Sequence, residues 1–155
     1  MEEIVIERIH EIEKDYYRLF LIIGNLNRGK TNTIREIGLK MCLDPINLNY
    51  ELCKRLNDFS LKERALSVQT LLEDIIEEQS TPCVLIDNIE ILFDQDLQLN
   101  PLEALKKISK NKTIVTTWLG DIINKTLYYA EEGYKERFCS NIGHIQYIDL
   151  NQQEV

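Results

Sequence analysis

The chain has 155 residues, enough for one ordinary domain that buries a core without disulfide or metal staples. Apolar residues make up 44% and charged residues 28%, which excludes a disordered or fibrous chain. The net charge of −8 argues against a surface that neutralises DNA or RNA phosphates, so direct nucleic-acid binding is not expected without a partner.

Val5, Ile9, Ile12 and Tyr16 recur at helical spacing and predict a helix over about 2–17. That segment is acidic and helical, unlike a signal peptide. Residues 18–23, RLFLII, read as a strand buried on both faces. A second helix is predicted from near Gly29 to about Lys40, ended by Leu43-Asp44-Pro45. INLN at 46–49 looks like a short strand. Ser60-Leu-Lys-Glu63 has the form of a capping box. It opens a helix with Leu61, Ala65, Val68, Leu72 and Ile75 on one face, which Thr81-Pro82 stops. CVLID at 83–87 and TIVTTW at 113–118 are further strands, with a short helix over 101–109 between them. Residues 119–143 carry no clear pattern, and HIQYIDL at 144–150 alternates as a last strand.

This alternation predicts a single α/β domain over 1–155, with a core over about 18–150 and a mostly parallel sheet. Ligands of such sheets bind beyond the carboxyl ends of the strands, where Gly24, Asp87 and Trp118 should gather. No apolar run is long enough to span a membrane. Cys42, Cys53 and Cys83 sit among apolar neighbours and read as buried small hydrophobes in a reducing cytoplasm.

Gly24-Asn-Leu-Asn-Arg-Gly-Lys-Thr31 fits G-x-x-x-x-G-K-[ST] at every fixed position. Its glycines allow successive N–H groups to point inward at phosphate oxygens, and the following helix adds its positive end. The candidate nucleotide-binding set is Gly24, Asn25, Leu26, Asn27, Arg28, Gly29, Lys30, Thr31 and Asn32. Lys30 would meet the outer phosphates and Thr31 would offer a hydroxyl to Mg²⁺. Asp87, ending an apolar strand, is the second metal-side candidate, since Mg²⁺ takes few protein ligands. Asn88 stands where many ATPases of this loop class place a glutamate; an amide orients water but is no base. Glu90 is the nearest acid that could act instead. Thr116 or Thr117 could sense a γ-phosphate, and strand alternation admits only one; Thr117 joins Lys30, Asn88 and Glu90 as the catalytic candidates. Arg137 is the candidate for a charge-stabilising arginine. No Asn-Lys-x-Asp pattern for guanine occurs, which leaves ATP with Mg²⁺ as the expected ligand.

The stretch Asp87-Asn-Ile-Glu-Ile-Leu-Phe93, with Asn100-Pro-Leu102, Trp118, Gly120, Tyr129-Ala130 and Gly133, resembles the BrxF family. These are small P-loop proteins of type 3 BREX bacteriophage-defence systems. The resemblance runs over nearly the whole chain, through the N-terminal helix and the loop GNLNRGKT. It implies a P-loop NTPase of AAA-like fold: a three-layer sandwich around a five-stranded, mostly parallel sheet, without a separate lid domain. It implies work beside other BREX-system proteins and allows a homo-oligomer. A slow or partner-dependent ATPase is the leading expectation, and a non-hydrolysing ATP-binding assembly module is the alternative. A small P-loop kinase fits less well, because only Arg137 follows Asp87 to serve a phosphate-clamping lid.

Overall fold

The computed structural model describes residues 1–129 and 138–152. The elements follow in order: α1 (Glu2–Glu11), β1 (Leu19–Gly24), α2 (Lys30–Met41), β2 (Ile46–Asn47), α3 (Leu48–Leu56), α4 (Leu61–Glu77) and β3 (Cys83–Asp87). After these come α5 (Pro101–Ile108), β4 (Thr113–Ile123), β5 (Thr126–Tyr129), β6 (Phe138–Asn141) and β7 (Gln146–Asp149).

Five strands form a parallel sheet in the order β2-β3-β4-β1-β7. β1 is completely buried and alternates its side chains between two cores. Phe20 and Ile22 meet α1 and α2 through Val5, Ile9, Ile34 and Ile37. Leu19, Leu21 and Ile23 face the larger core built on α3, α4 and α5. Helices therefore cover both faces, and the C-terminal ends of β1, β3 and β4 share one edge. Among the described residues the sheet has seven strands rather than five, because β5 and β6 add an antiparallel ribbon to the far end of β4.

Local chemistry sets most boundaries. Ser60 accepts from the Glu63 amide while the Glu63 carboxylate accepts from the Ser60 amide, closing the expected capping box. Asn100 caps α5 ahead of Pro101 by accepting from the Glu103 amide, without a reciprocal bond. The first helix stops earlier than its periodicity suggests: a 3₁₀ turn over Ile12–Lys14 follows, Asp15 is extended, and Tyr16 is exposed. α2 ends at a left-handed Cys42 whose N–H, with that of Leu43, returns to the Gly38 carbonyl, three residues before the proline. The INLN segment is strand only over its first half; Asn47 caps α3 instead. On α4, Leu61 is exposed and Val68, Leu72 and Ile75 carry the buried face. Cys42 and Cys53 are exposed, against the expectation of burial, and only Cys83 is half-buried, its thiol pushed up to about 11 by desolvation.

Residues that carried no periodicity form the ribbon. β4 parts from β1 after the pairing of Gly24 with Leu119 and continues through Gly120 to pair with β5. Asn124 and Lys125 both take positive φ, the geometry of a two-residue hairpin turn that follows the twist of its strands. An aromatic cluster docks the ribbon: the Phe93 and Tyr129 rings stack 3.5 Å apart, and Trp118 meets the Phe93 edge at 5.1 Å. Trp118 also donates its indole N–H to the Tyr128 carbonyl at 3.0 Å. Among the described residues, no helix is long and apolar enough to cross a membrane.

A methyl group on Gly120 would lie 1.9 Å from the Tyr128 carbonyl oxygen, a backbone atom that cannot step aside. Gly120→Ala is expected to cost about 2–3 kcal/mol, lowering the melting temperature by roughly 4–12 °C. A thermal melt by circular dichroism checks this.

Candidate functional site

β1 delivers the chain to the sheet edge at Gly24, and the loop 25–29 leads into α2. Asn27 and Gly29 both take left-handed backbone angles, with φ of 64° and 86°. Gly29 is the residue immediately before α2, so the turn into the helix rests on a conformation that suits glycine. The first-turn amides of α2 face the mouth of the loop with no intrahelical partner, as at any helix start.

A cavity of about 310 Å³ opens there, lined by Leu26, Asn27, Gly29, Lys30, Thr31 and Asn32 from one side. Asp87, Asn88, Glu90 and Leu119 close it from the other. Its size is at the small end of ligand sites, about 300–1,000 Å³. Among the sequence candidates, Gly24, Asn25, Arg28 and the buried Thr117 lie outside this lining. Gly24 is packed so tightly that a side chain there would press on Lys30, Arg28 and Leu150. The Arg28 amide closes the loop onto the Asn25 carbonyl.

Asp87 is the hub. Its Oδ2 accepts from Thr31 Oγ1 at 2.9 Å, and its Oδ1 accepts from Thr117 Oγ1 at 2.7 Å and from the Asn88 amide at 2.9 Å. The alternation along β4 decides between the two threonines: Thr117 reaches Asp87, whereas the Thr116 hydroxyl donates to the Thr117 carbonyl. Thr31 spends its proton on Asp87, which leaves its oxygen lone pairs free to meet a cation. One hydroxyl and one carboxylate are a donor set that fits Mg²⁺ carried in by phosphate oxygens. Among the described residues no group of three or more His, Cys, Asp or Glu could hold a metal alone. Lys30 arches over the loop and donates to the Asn25 carbonyl at 3.0 Å. Burial lowers its pKa from the ordinary lysine value, opposed by the charges of Glu90 and Asp87. Trp118 lies at this edge as expected, paired with Ile23 beside Gly24, but its side chain is buried in the core.

Asn88 has φ of 57°, left-handed backbone that asparagine tolerates better than most side chains. The turn sends the chain into a 3₁₀ helix over Glu90–Phe93, which carries Glu90 to the cavity. The missing glutamate at 88 thus coincides with a backbone requirement that disfavours it. Asn49 escaped sequence reasoning. It lies in the first turn of α3, donates its side-chain amide to Glu90 Oε2 at 3.2 Å and accepts from the Ile91 amide at 2.8 Å. Its own N–H donates to the Asn88 carbonyl. The only sequence signal was a polar residue beside a predicted strand end. Arg137, Ala130 and Gly133 lie outside the described residues.

Thr117→Val keeps the side-chain shape but removes a donor from a half-buried carboxylate. A loss of about 1–3 kcal/mol is expected, read as a lower urea midpoint, and Thr117→Ser is expected to keep most of the stability. No family model, curated protein or solved structure matches this chain.

Proposed function

We propose that this is an ATP-binding P-loop NTPase with an AAA-like core, acting as a slow or partner-dependent ATPase. The observation that carries the reading is the cavity where Lys30, Thr31 and Asp87 converge behind a left-handed Gly29. A central β1 flanked by β4 and β7, with the acid-bearing β3 on the far side of β4, supports it. That order puts a phosphate loop and an acid on neighbouring parts of one sheet edge.

In this reading Lys30 and the α2 amides bind the outer phosphates, and Thr31 with Asp87 holds the metal side. Bound Mg²⁺ would supply charge neutralisation between the outer phosphates. Thr117 fixes the rotamer of Asp87, and Asn88 presents an amide that can orient a water. Glu90 is the general-base candidate, held by Asn49 at the cavity wall. A place among the proteins of a BREX anti-phage system, in the cytoplasm, rests on the sequence resemblance alone, as does a homo-oligomer.

A non-hydrolysing ATP-binding module is the second reading. The amide at Asn88 and the engagement of Glu90 by Asn49 favour it.

Mg-ATP at about 100 times its dissociation constant should stabilise the protein by roughly 2.7 kcal/mol. The melting temperature should then rise by roughly 5–10 °C in the wild type and not in Lys30→Ala. No shift in the wild type would overturn nucleotide binding. Glu90→Gln is expected to keep the shift and lose phosphate release, measured with and without partner proteins. Release that persists in Glu90→Gln would exclude Glu90 as the base. Absence of release from the wild type under every condition would favour the module.

A further inference from the structure

Outside the cavity, the entry of the phosphate loop is tied to two distant segments. Asn25 donates its backbone N–H to Asn151 Oδ1 at 2.8 Å and its side-chain amide to Asp121 Oδ1 at 2.9 Å. Asn151 donates its own side-chain amide to the same Asp121 oxygen at 2.8 Å and to the Gly120 carbonyl at 2.9 Å. The Asn151 amide is held in turn by Asp149 Oδ1 at 3.0 Å. Asp121 lies where β4 becomes the ribbon, and Asn151 lies in the 3₁₀ turn Leu150–Gln152 that follows β7. Both are half-buried, and the neighbouring Leu150 packs beneath Gly24.

We propose that Asp121 and Asn151 are positioning residues for the phosphate loop. They hold Asn25 in the conformation that aims the later loop amides at phosphate, without touching the ligand themselves. The inference rests on the nucleotide-binding reading above. Its physical content is an opposition of signs. A carboxylate this near a phosphate site repels a polyanion, so electrostatics alone says that removing Asp121 tightens binding. If the carboxylate instead acts as a hydrogen-bond acceptor that orders the loop, removing it weakens binding. Both of its bonds go to a single oxygen, which an amide also possesses. Asp121→Asn therefore keeps the acceptor and deletes the charge.

The test is Mg-ATP affinity by calorimetry for the wild type, Asp121→Ala, Asp121→Asn and Asn151→Ala. Asp121→Ala and Asn151→Ala are expected to lose roughly tenfold in affinity, as when outer-shell partners are removed. Asp121→Asn is expected to match or exceed the wild type. Equal or tighter binding by Asp121→Ala overturns the proposal. A second arm needs no nucleotide: hydrogen exchange at the amides of residues 25–29 should quicken in Asp121→Ala and stay slow in Asp121→Asn, with α2 and α4 unchanged. Unchanged loop exchange overturns the proposal, and so does exchange that quickens across the whole sheet, which is a loss of fold rather than of loop order. Should the wild type bind no nucleotide, the functional reading fails by itself, and the exchange arm still decides the role of Asp121 and Asn151.

Discussion

The carboxylate of Asp87 takes hydrogen bonds from Thr31, Thr117 and the Asn88 amide, groups that belong to three separate stretches of chain. Hydrogen bonds to a charged acceptor contribute about 1.5–3 kcal/mol each, against about 0.5–1.5 kcal/mol between neutral groups. Its position presupposes the strand order: β4 must lie beside β3 to bring Thr117, and β1 must lie beside β4 to bring the loop and α2. The rest of the site is arranged around that point. The left-handed Asn88 turns the chain away from it, and the 3₁₀ turn that follows returns Glu90 to the cavity wall.

The residues around Asp87–Phe93, Asn100–Leu102 and Trp118–Gly120 have structural work of their own. Phe93, Trp118 and Tyr129 form the ring cluster that fastens the ribbon to the core. Gly120 is the point where β4 passes against the β5 backbone with no room for a side chain. Asn100 and Pro101 start α5. These residues explain how a ribbon can sit beside the loop 25–29, and they say nothing by themselves about what the loop does.

Where the chain organises itself locally, the sequence was readable. The apolar runs ending at Gly24 and Asp87 are β1 and β3, and Ser60 with Glu63 is a true capping box. The strand-to-helix turn at Gly24–Lys30 was likewise legible from its own spacing. What escaped depends on partners distant in the chain. β5 and β6 have no strong alternation, and the turn that joins β4 to β5 is Asn-Lys rather than the Asn-Gly that signals a hairpin. The choice between Thr116 and Thr117 needed the register of β4. Asn49 is legible only once α3 is seen to begin at Leu48; Cys42 is exposed in the left-handed turn that ends α2, and Cys53 on the outer face of α3.

The strand that leads into the loop 25–29 is made early and completed late. Leu19 pairs with Ile114 and Phe20 with Gln146, so both neighbours of β1 come from the last third of the chain. Non-local parallel pairing of this kind is paid for in loop entropy before it returns any contact, and it slows folding. During synthesis the most apolar strand must therefore wait, unpaired, until β4 and then β7 have emerged. An α1–α2 cover over Phe20 and Ile22 can form in the meantime, because those helices lie within the first forty-one residues. One face of β1 is thus shielded from aggregation from the start, while the loop that follows it acquires its final shape only when Asn151 arrives.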